Sequence, residues 1–160
     1  MSQVVLTVLF HAERILLVQE AKARVYGTWN LPGGRVEAGE GLIEAALRET
    51  QEEAGIAVAL HGLMSIHQGL AFSDPSVSVT RFVFVGAPSD PREARLKTQA
   101  DEHSLRAQWF ELSELASLPL RNGLVRDMAE LAACKPALLP LSGLRVDFRS
   151  TPGALPGARP

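Results

Sequence analysis

Residues 34–56 read GRVEAGEGLIEAALRETQEEAGI, and from Gly41 onward their apolar positions change to helical spacing. Ile43, Leu47, Thr50 and Ala54 recur on one face while Glu49, Glu52 and Glu53 fall on another, and Gly55 supplies a stop, so the pattern predicts a helix over Leu42–Ala54. The spacing i, i+3, i+4 brings the three carboxylates onto one patch. Like charges so close repel, and Arg48 is the only cation within the segment, Arg35 lying back in the preceding loop. A hard divalent cation such as Mg²⁺ resolves the repulsion, because it takes carboxylate, carbonyl and water oxygens and shares its shell with phosphate. The cluster therefore points to metal-assisted phosphoryl chemistry.

Just upstream, Trp29-Asn30-Leu31-Pro32-Gly33-Gly34 places one proline and two glycines where no helix tolerates them. A shaped loop is expected, in which glycine lets backbone approach a metal or a phosphate that a Cβ would obstruct. Loop and helix would form one site.

Working outward, Val4–Phe10 and Ile15–Gln19 are apolar runs separated by His11-Ala12-Glu13-Arg14, the signature of a hairpin with buried strands. Past the helix, 56–66 and 76–85 read as longer strands, 107–110 as a short one, and 120–134 as a second helix with Leu124, Met128, Leu131 and Ala132 at helical spacing. The order β-β-α-β-β-β-α predicts an α/β (α+β) fold in which a mixed sheet is sandwiched between helices. Residues 1–141 form the expected domain. Residues 142–160, rich in Gly, Pro and Arg, read as a tail whose last ten or so positions are disordered.

The whole chain narrows the function further. At 160 residues it suits one domain with one core, and 46% apolar with 21% charged residues is an ordinary folded composition. The net charge of −2 with scattered Lys and Arg argues against a nucleic-acid polymer as partner. The single cysteine, Cys134, allows no internal disulfide, which makes a cytoplasmic location the expectation. The N-terminal apolar run lacks a basic flank and is too short to span a bilayer, so no membrane association is expected. His11, His61 and His67 show no metal-ligand spacing.

Gly34, Glu40, Arg48, Glu49, Glu52, Glu53, Gly55 and Ile56 match the Nudix box, G-x5-E-x7-R-E-U-x-E-E-x-G-U with U apolar, and the chain resembles the Nudix family. Thr50 at the first U position is the one departure. The resemblance implies a Nudix fold and a Mg²⁺-dependent pyrophosphohydrolase, with Mn²⁺ a possible substitute. The Gly33 carbonyl, Glu49, Glu52 and Glu53 would be metal ligands, and Arg48 and Glu40 would brace the loop against the helix. Glu102, in Asp101-Glu102-His103-Ser104, resembles a loop ligand of many relatives, and Glu53 and Glu102 are the candidates for the general base.

For substrate contacts the expected residues are Trp29 and Asn30 for a purine base, with Arg81 and Lys97 for phosphate or base. His103 reads as a surface residue. Other stretches, among them Val18-Gln19-Glu20-Ala21-Lys22 and Arg81-Phe82-Val83-Phe84, resemble Nudix enzymes acting on 8-oxo-purine nucleoside diphosphates, and Met64-Ser65-Ile66-His67-Gln68 resembles a bacterial Nudix phosphatase of broad specificity. These imply hydrolysis of nucleoside di- or triphosphates to a nucleoside monophosphate plus phosphate or pyrophosphate. Another small pyrophosphate, such as ADP-ribose or a thiamine-precursor pyrophosphate, or a non-hydrolytic nucleotide sensor, stays open, as does a monomeric or homodimeric state.

Overall fold

The structure, a computed structural model, describes residues 2–72, 74–92 and 95–145. Strands β1 (Ser2–His11), β2 (Arg14–Glu20), β3 (Trp29–Asn30) and β4 (Gly33–Arg35) precede helix α1 (Leu42–Ala54). Strands β5 (Val58–Leu70), β6 (Ser78–Pro88) and β7 (Ser104–Glu111) and helix α2 (Leu124–Ala133) follow. The sheet is mixed: β1 runs parallel to β6, and the remaining pairs are antiparallel.

Alternation along β1 and β2 explains why both read as continuous apolar runs. Leu6, Val8, Ile15 and Leu17 point to the side covered by α2, where they meet Val125, Met128, Ala129 and Ala132. Their neighbours Val5, Leu9, Leu16 and Val18 point to the side covered by α1, against Ala45, Ala46, Ala54 and Ile56. A strand buried on both faces has no polar side to show, and the expected sandwich is what results.

The hairpin partners Phe10↔Ile15 and His11↔Arg14 join β1 to β2 only beside their turn. Farther along, the two strands part. β4 pairs with β1 at Val4–Leu6 and β3 pairs with β2 at Val18 and Gln19, so the glycine loop fills the fork. This splay is what places the loop beside α1.

Two helix faces differ from the sequence expectation. In α1 the buried side is Ala45, Ala46, Thr50, Glu53 and Ala54, while Leu47 is 38% exposed. Small alanines let the helix lie close to the sheet, and that rotation takes Glu53 inward. Thr50 keeps its burial by donating its hydroxyl to the Ala46 carbonyl at 2.8 Å. Helix α2 begins later than expected, where Asn122 Oδ1 accepts the Leu124 N–H at 3.1 Å, and Val125 and Ala129 occupy the core instead of the exposed Leu131. Of the expected tail, Leu144 packs beside the α1-side core, and residues 146–160 lie outside the described residues. Among the described residues no helix is long and apolar enough to cross a membrane.

Candidate active site

Gly33 adopts φ +154°, and a Cβ there would collide with the Val5 carbonyl and the Leu6 backbone. At Gly34 an added Cβ would overlap the Glu49 carboxylate. Loop backbone and acidic helix are therefore in direct apposition, closer than any side chain on the loop would allow.

Arg48 ties this wall together. Its Nε and Nη2 donate to the two Glu40 oxygens at 2.7 and 2.9 Å, its Nη1 donates to Glu49 at 3.0 Å and Glu52 at 3.1 Å, and Nη2 also reaches the Arg35 carbonyl at 3.2 Å. The fork geometry of guanidinium suits this multiple grip. The Glu40 hydrogen bond is the largest cause holding Arg48 protonated far above its ordinary range, and the same bond lowers the Glu40 pKa. Glu40 also accepts the Glu37 N–H at 3.0 Å, and Glu44 reaches back to the Gly41 N–H at 2.9 Å, closing the entry to α1.

Glu53 is in a different situation. It is 4% exposed, accepts the Gly33 N–H at 2.9 Å and, among the described residues, has no ion-pair partner. Burial pushes its carboxyl up to about 8, the Gly33 hydrogen bond opposing this and the Glu49 charge adding to it. Its backbone carbonyl accepts from the buried Ser104 hydroxyl at 2.6 Å, which joins α1 to β7.

These groups line one cleft of about 840 Å³. At one part stand Gly33, Gly34, Arg48, Glu49, Glu52 and Glu53; elsewhere stand Asn30, Phe72, Arg81, Arg121 and Leu124. Glu102 stands at the rim, its side chain 88% exposed. His103, read from the sequence as a surface residue, also lines the cleft, with Nδ1 3.7 Å from Glu52 and Nε2 3.6 Å from Glu102. As the side chains stand, no three His, Cys, Asp or Glu among the described residues are arranged to hold a metal ion, since Glu49 and Glu52 lean on Arg48. Their donor chemistry nevertheless fits a hard cation: carboxylate oxygens beside glycine backbone, with one arginine set against three acids.

Other expected substrate residues divide. Asn30 and Arg81 line the cleft, whereas Trp29 and Lys97 do not. Trp29 is packed edge-on to Phe110, ring centroids 4.8 Å apart, in the α2-side core, with Arg106 over its ring. Lys97 donates to the Glu52 carbonyl at 2.9 Å and pairs with Asp101, placing a cation at the C-terminal end of α1 where the helix dipole favours one. Arg121 and Phe72 are cleft residues that the sequence reading missed. Arg121 comes from the irregular stretch before α2, and no periodicity marks it.

A NUDIX domain model matches residues 1–131. This chain belongs to the Nudix family. Among similar Nudix proteins, the mouse (Mus musculus) 8-oxo-dGDP phosphatase NUDT18 is 40% identical over 133 residues, covering 81% of this chain and 38% of the mouse protein. The chain thus spans well under half the length of that relative. Phosphatase NudJ of Escherichia coli O1:K1 is 43% identical over 61 residues, 38% of this chain and 40% of NudJ. The solved structure of a NUDIX hydrolase from Nitrosomonas europaea superposes with a TM-score of 0.77 at 28% identity, covering 91% of this chain and 97% of the other. Of the Nudix box residues, Gly34, Arg48, Glu49, Glu52 and Glu53 line the cleft, while Glu40 braces Arg48, Gly55 caps α1 and Ile56 is in the core.

Proposed function

We propose that this Nudix cleft hydrolyses a diphosphate linkage in nucleoside di- or triphosphates, oxidised purine nucleotides among them, with Mg²⁺ or Mn²⁺ as cofactor. The products are a nucleoside monophosphate and phosphate or pyrophosphate. The observation that carries this reading is the placing of Glu49 and Glu53 against the Gly33-Gly34 backbone, with Glu52 beside them on Arg48, inside a cleft large enough for a nucleotide. The NUDT18 relative, named for its action on 8-oxo-dGDP, supports the substrate class.

Glu49, Glu52, Glu53 and the Gly33 carbonyl would hold the metal, with Glu102 approaching from the rim. When bound, such an ion neutralises phosphate oxygens and lowers the pKa of a coordinated water. Arg48 holds Glu49 and Glu52 in place, and its two bonds to Glu40 anchor the guanidinium in the wall. Glu53 and Glu102 are the candidates to receive the proton of the attacking water. Gly33 fixes Glu53 by its N–H, so that carboxylate is pre-oriented, whereas Glu102 stands exposed at the rim with His103 Nε2 3.6 Å away.

The test is chromatographic. With Mg²⁺, a panel of nucleoside di- and triphosphates, oxidised guanine nucleotides, ADP-ribose and a thiamine-precursor pyrophosphate is incubated with the protein. Highest turnover on nucleoside di- or triphosphates, yielding the monophosphate, is expected. Preference for ADP-ribose or the thiamine precursor would overturn the substrate assignment, and nucleotide binding with no turnover on any compound would make the domain a sensor.

A further inference from the structure

Glu20, the last residue of β2, is 3% exposed and carries a carboxylate that the proposed hydrolysis does not use. Its Oε1 accepts from Asn30 Nδ2 at 3.0 Å and from Arg121 Nη1, while Oε2 has no partner among the described residues. Both partners line the cleft, and Glu20 itself stands behind them. One buried acid thus holds a side chain from the glycine loop and another from the segment before α2.

The consequence for Asn30 is chemical. A carboxylate only accepts hydrogen bonds, so the amide turns its NH₂ toward Glu20 and presents Oδ1 as its acceptor to a ligand, its second N–H remaining a donor. Arg121 has one arm committed and keeps further N–H donors for the cleft. Beside it, Arg81 is 6% exposed, donates through Nη2 to the Leu70 carbonyl at 3.1 Å and, among the described residues, has no partner for Nη1. The Arg81 guanidinium lies 4.9 Å from the centroid of the exposed Phe72 ring, and its Nη1 stands beside Gly69 and His67. A buried donor without an acceptor is costly, and a ligand acceptor relieves it.

This part of the cleft therefore offers two guanidiniums and one amide oxygen. A matching base edge needs acceptors for the guanidiniums and at least one N–H for the amide. A 6-oxopurine with a 2-amino group has this pattern, O6 and N7 accepting and the ring and amino N–H groups donating. In a 6-aminopurine the N6 amino group stands next to N7 and meets a guanidinium donor to donor.

Building on the hydrolase reading, we propose that Glu20 is a positioning residue for base selectivity: by holding the Asn30 amide and the Arg121 guanidinium it shapes the cleft for guanine-type bases over adenine. Glu20 touches no substrate and acts through those two side chains. Glu20→Gln keeps the volume but lets the amide at 30 turn either way and leaves Arg121 unneutralised.

The experiment has two arms, turnover of GDP and ADP with Mg²⁺ and calorimetric binding of the products GMP and AMP. The wild type is expected to bind GMP about tenfold more tightly than AMP. In Glu20→Gln that ratio collapses toward unity, and the KM for GDP rises by more than kcat falls. Arg121→Lys, which retains the ion pair at a partly exposed position, shows the same loss of preference if Glu20→Gln does not fold. Equal binding of GMP and AMP by the wild type, or a variant that weakens both alike, overturns the role of Glu20 while leaving hydrolysis intact. Absence of GDP turnover with GMP preference retained refutes hydrolysis and leaves the role of Glu20 standing.

Discussion

Glu53→Gln should stabilise the metal-free protein at neutral pH while abolishing its activity. The Glu53 carboxyl is buried with no ion-pair partner among the described residues, and its pKa is raised from 4.5 to about 8. For an acid raised in the fold, the sign is fixed: its favourable contribution is complete below the unfolded value and is lost as pH rises through the folded one. At about pH 7.5 the fold keeps the proton across roughly three pH units in which the unfolded chain releases it, a cost of about 4 kcal/mol relative to acid. Glutamine has the same shape, its Oε1 still accepts the Gly33 N–H, and it never ionises. The gain is thus up to about 4 kcal/mol, or some 2–4 °C of Tm per kcal/mol for a chain of this size. Melting curves in EDTA across about pH 4 to 8.5 read the difference, which should open as pH rises and close below the unfolded pKa. With Mg²⁺ added, the wild type gains stability and the variant gains less. A Glu53→Gln protein that in EDTA is less stable than wild type by the same amount at every pH would refute the reasoning.

Three further outcomes follow from the same geometry. Gly34→Ala drives a methyl into the Glu49 carboxylate, so kcat should fall at least tenfold with a folded far-UV spectrum, as measured by steady-state kinetics beside circular dichroism. Lys97→Met removes the cation from the C-terminal end of α1 and its bond to the Glu52 carbonyl, lowering Tm while leaving the GDP-to-ADP ratio of kcat/KM unchanged. Trp29→Ala, a deletion from the core beside Phe110, should cost about 3–5 kcal/mol in denaturant unfolding, whereas Trp29→Phe leaves base selectivity as it was; a changed selectivity would return Trp29 to the substrate site.

Much of the site was legible because it is local. The carboxylates, Arg48 and Gly55 lie within a few helical turns, where spacing alone decides which side chains meet, and the longer strands followed from apolar runs, whereas the short β3 and β4 fall in the stretch that read as a loop. What stayed hidden depends on long-range placement. The rotation of α1 that buries Glu53 and exposes Leu47 is set by Ala45 and Ala46 settling on Val5 and Phe84 across the sheet. Trp29 reads as a base platform by its position next to the loop, yet pairing of β3 with β2 turns it into the core. Arg121 meets Glu20 across the fold, a contact between residues far apart in the chain that no pattern in either segment announces.

The most direct measurement is release of nucleoside monophosphate from GDP by the wild type and by Glu52→Gln, each with Mg²⁺ and with EDTA. Turnover in the wild type that requires Mg²⁺ and falls at least a hundredfold in Glu52→Gln is the expected result, in line with the loss of a group that holds the charge-stabilising ion. Turnover that survives in EDTA, or is undiminished in Glu52→Gln, would place the chemistry elsewhere and contradict the assignment of the α1 carboxylates.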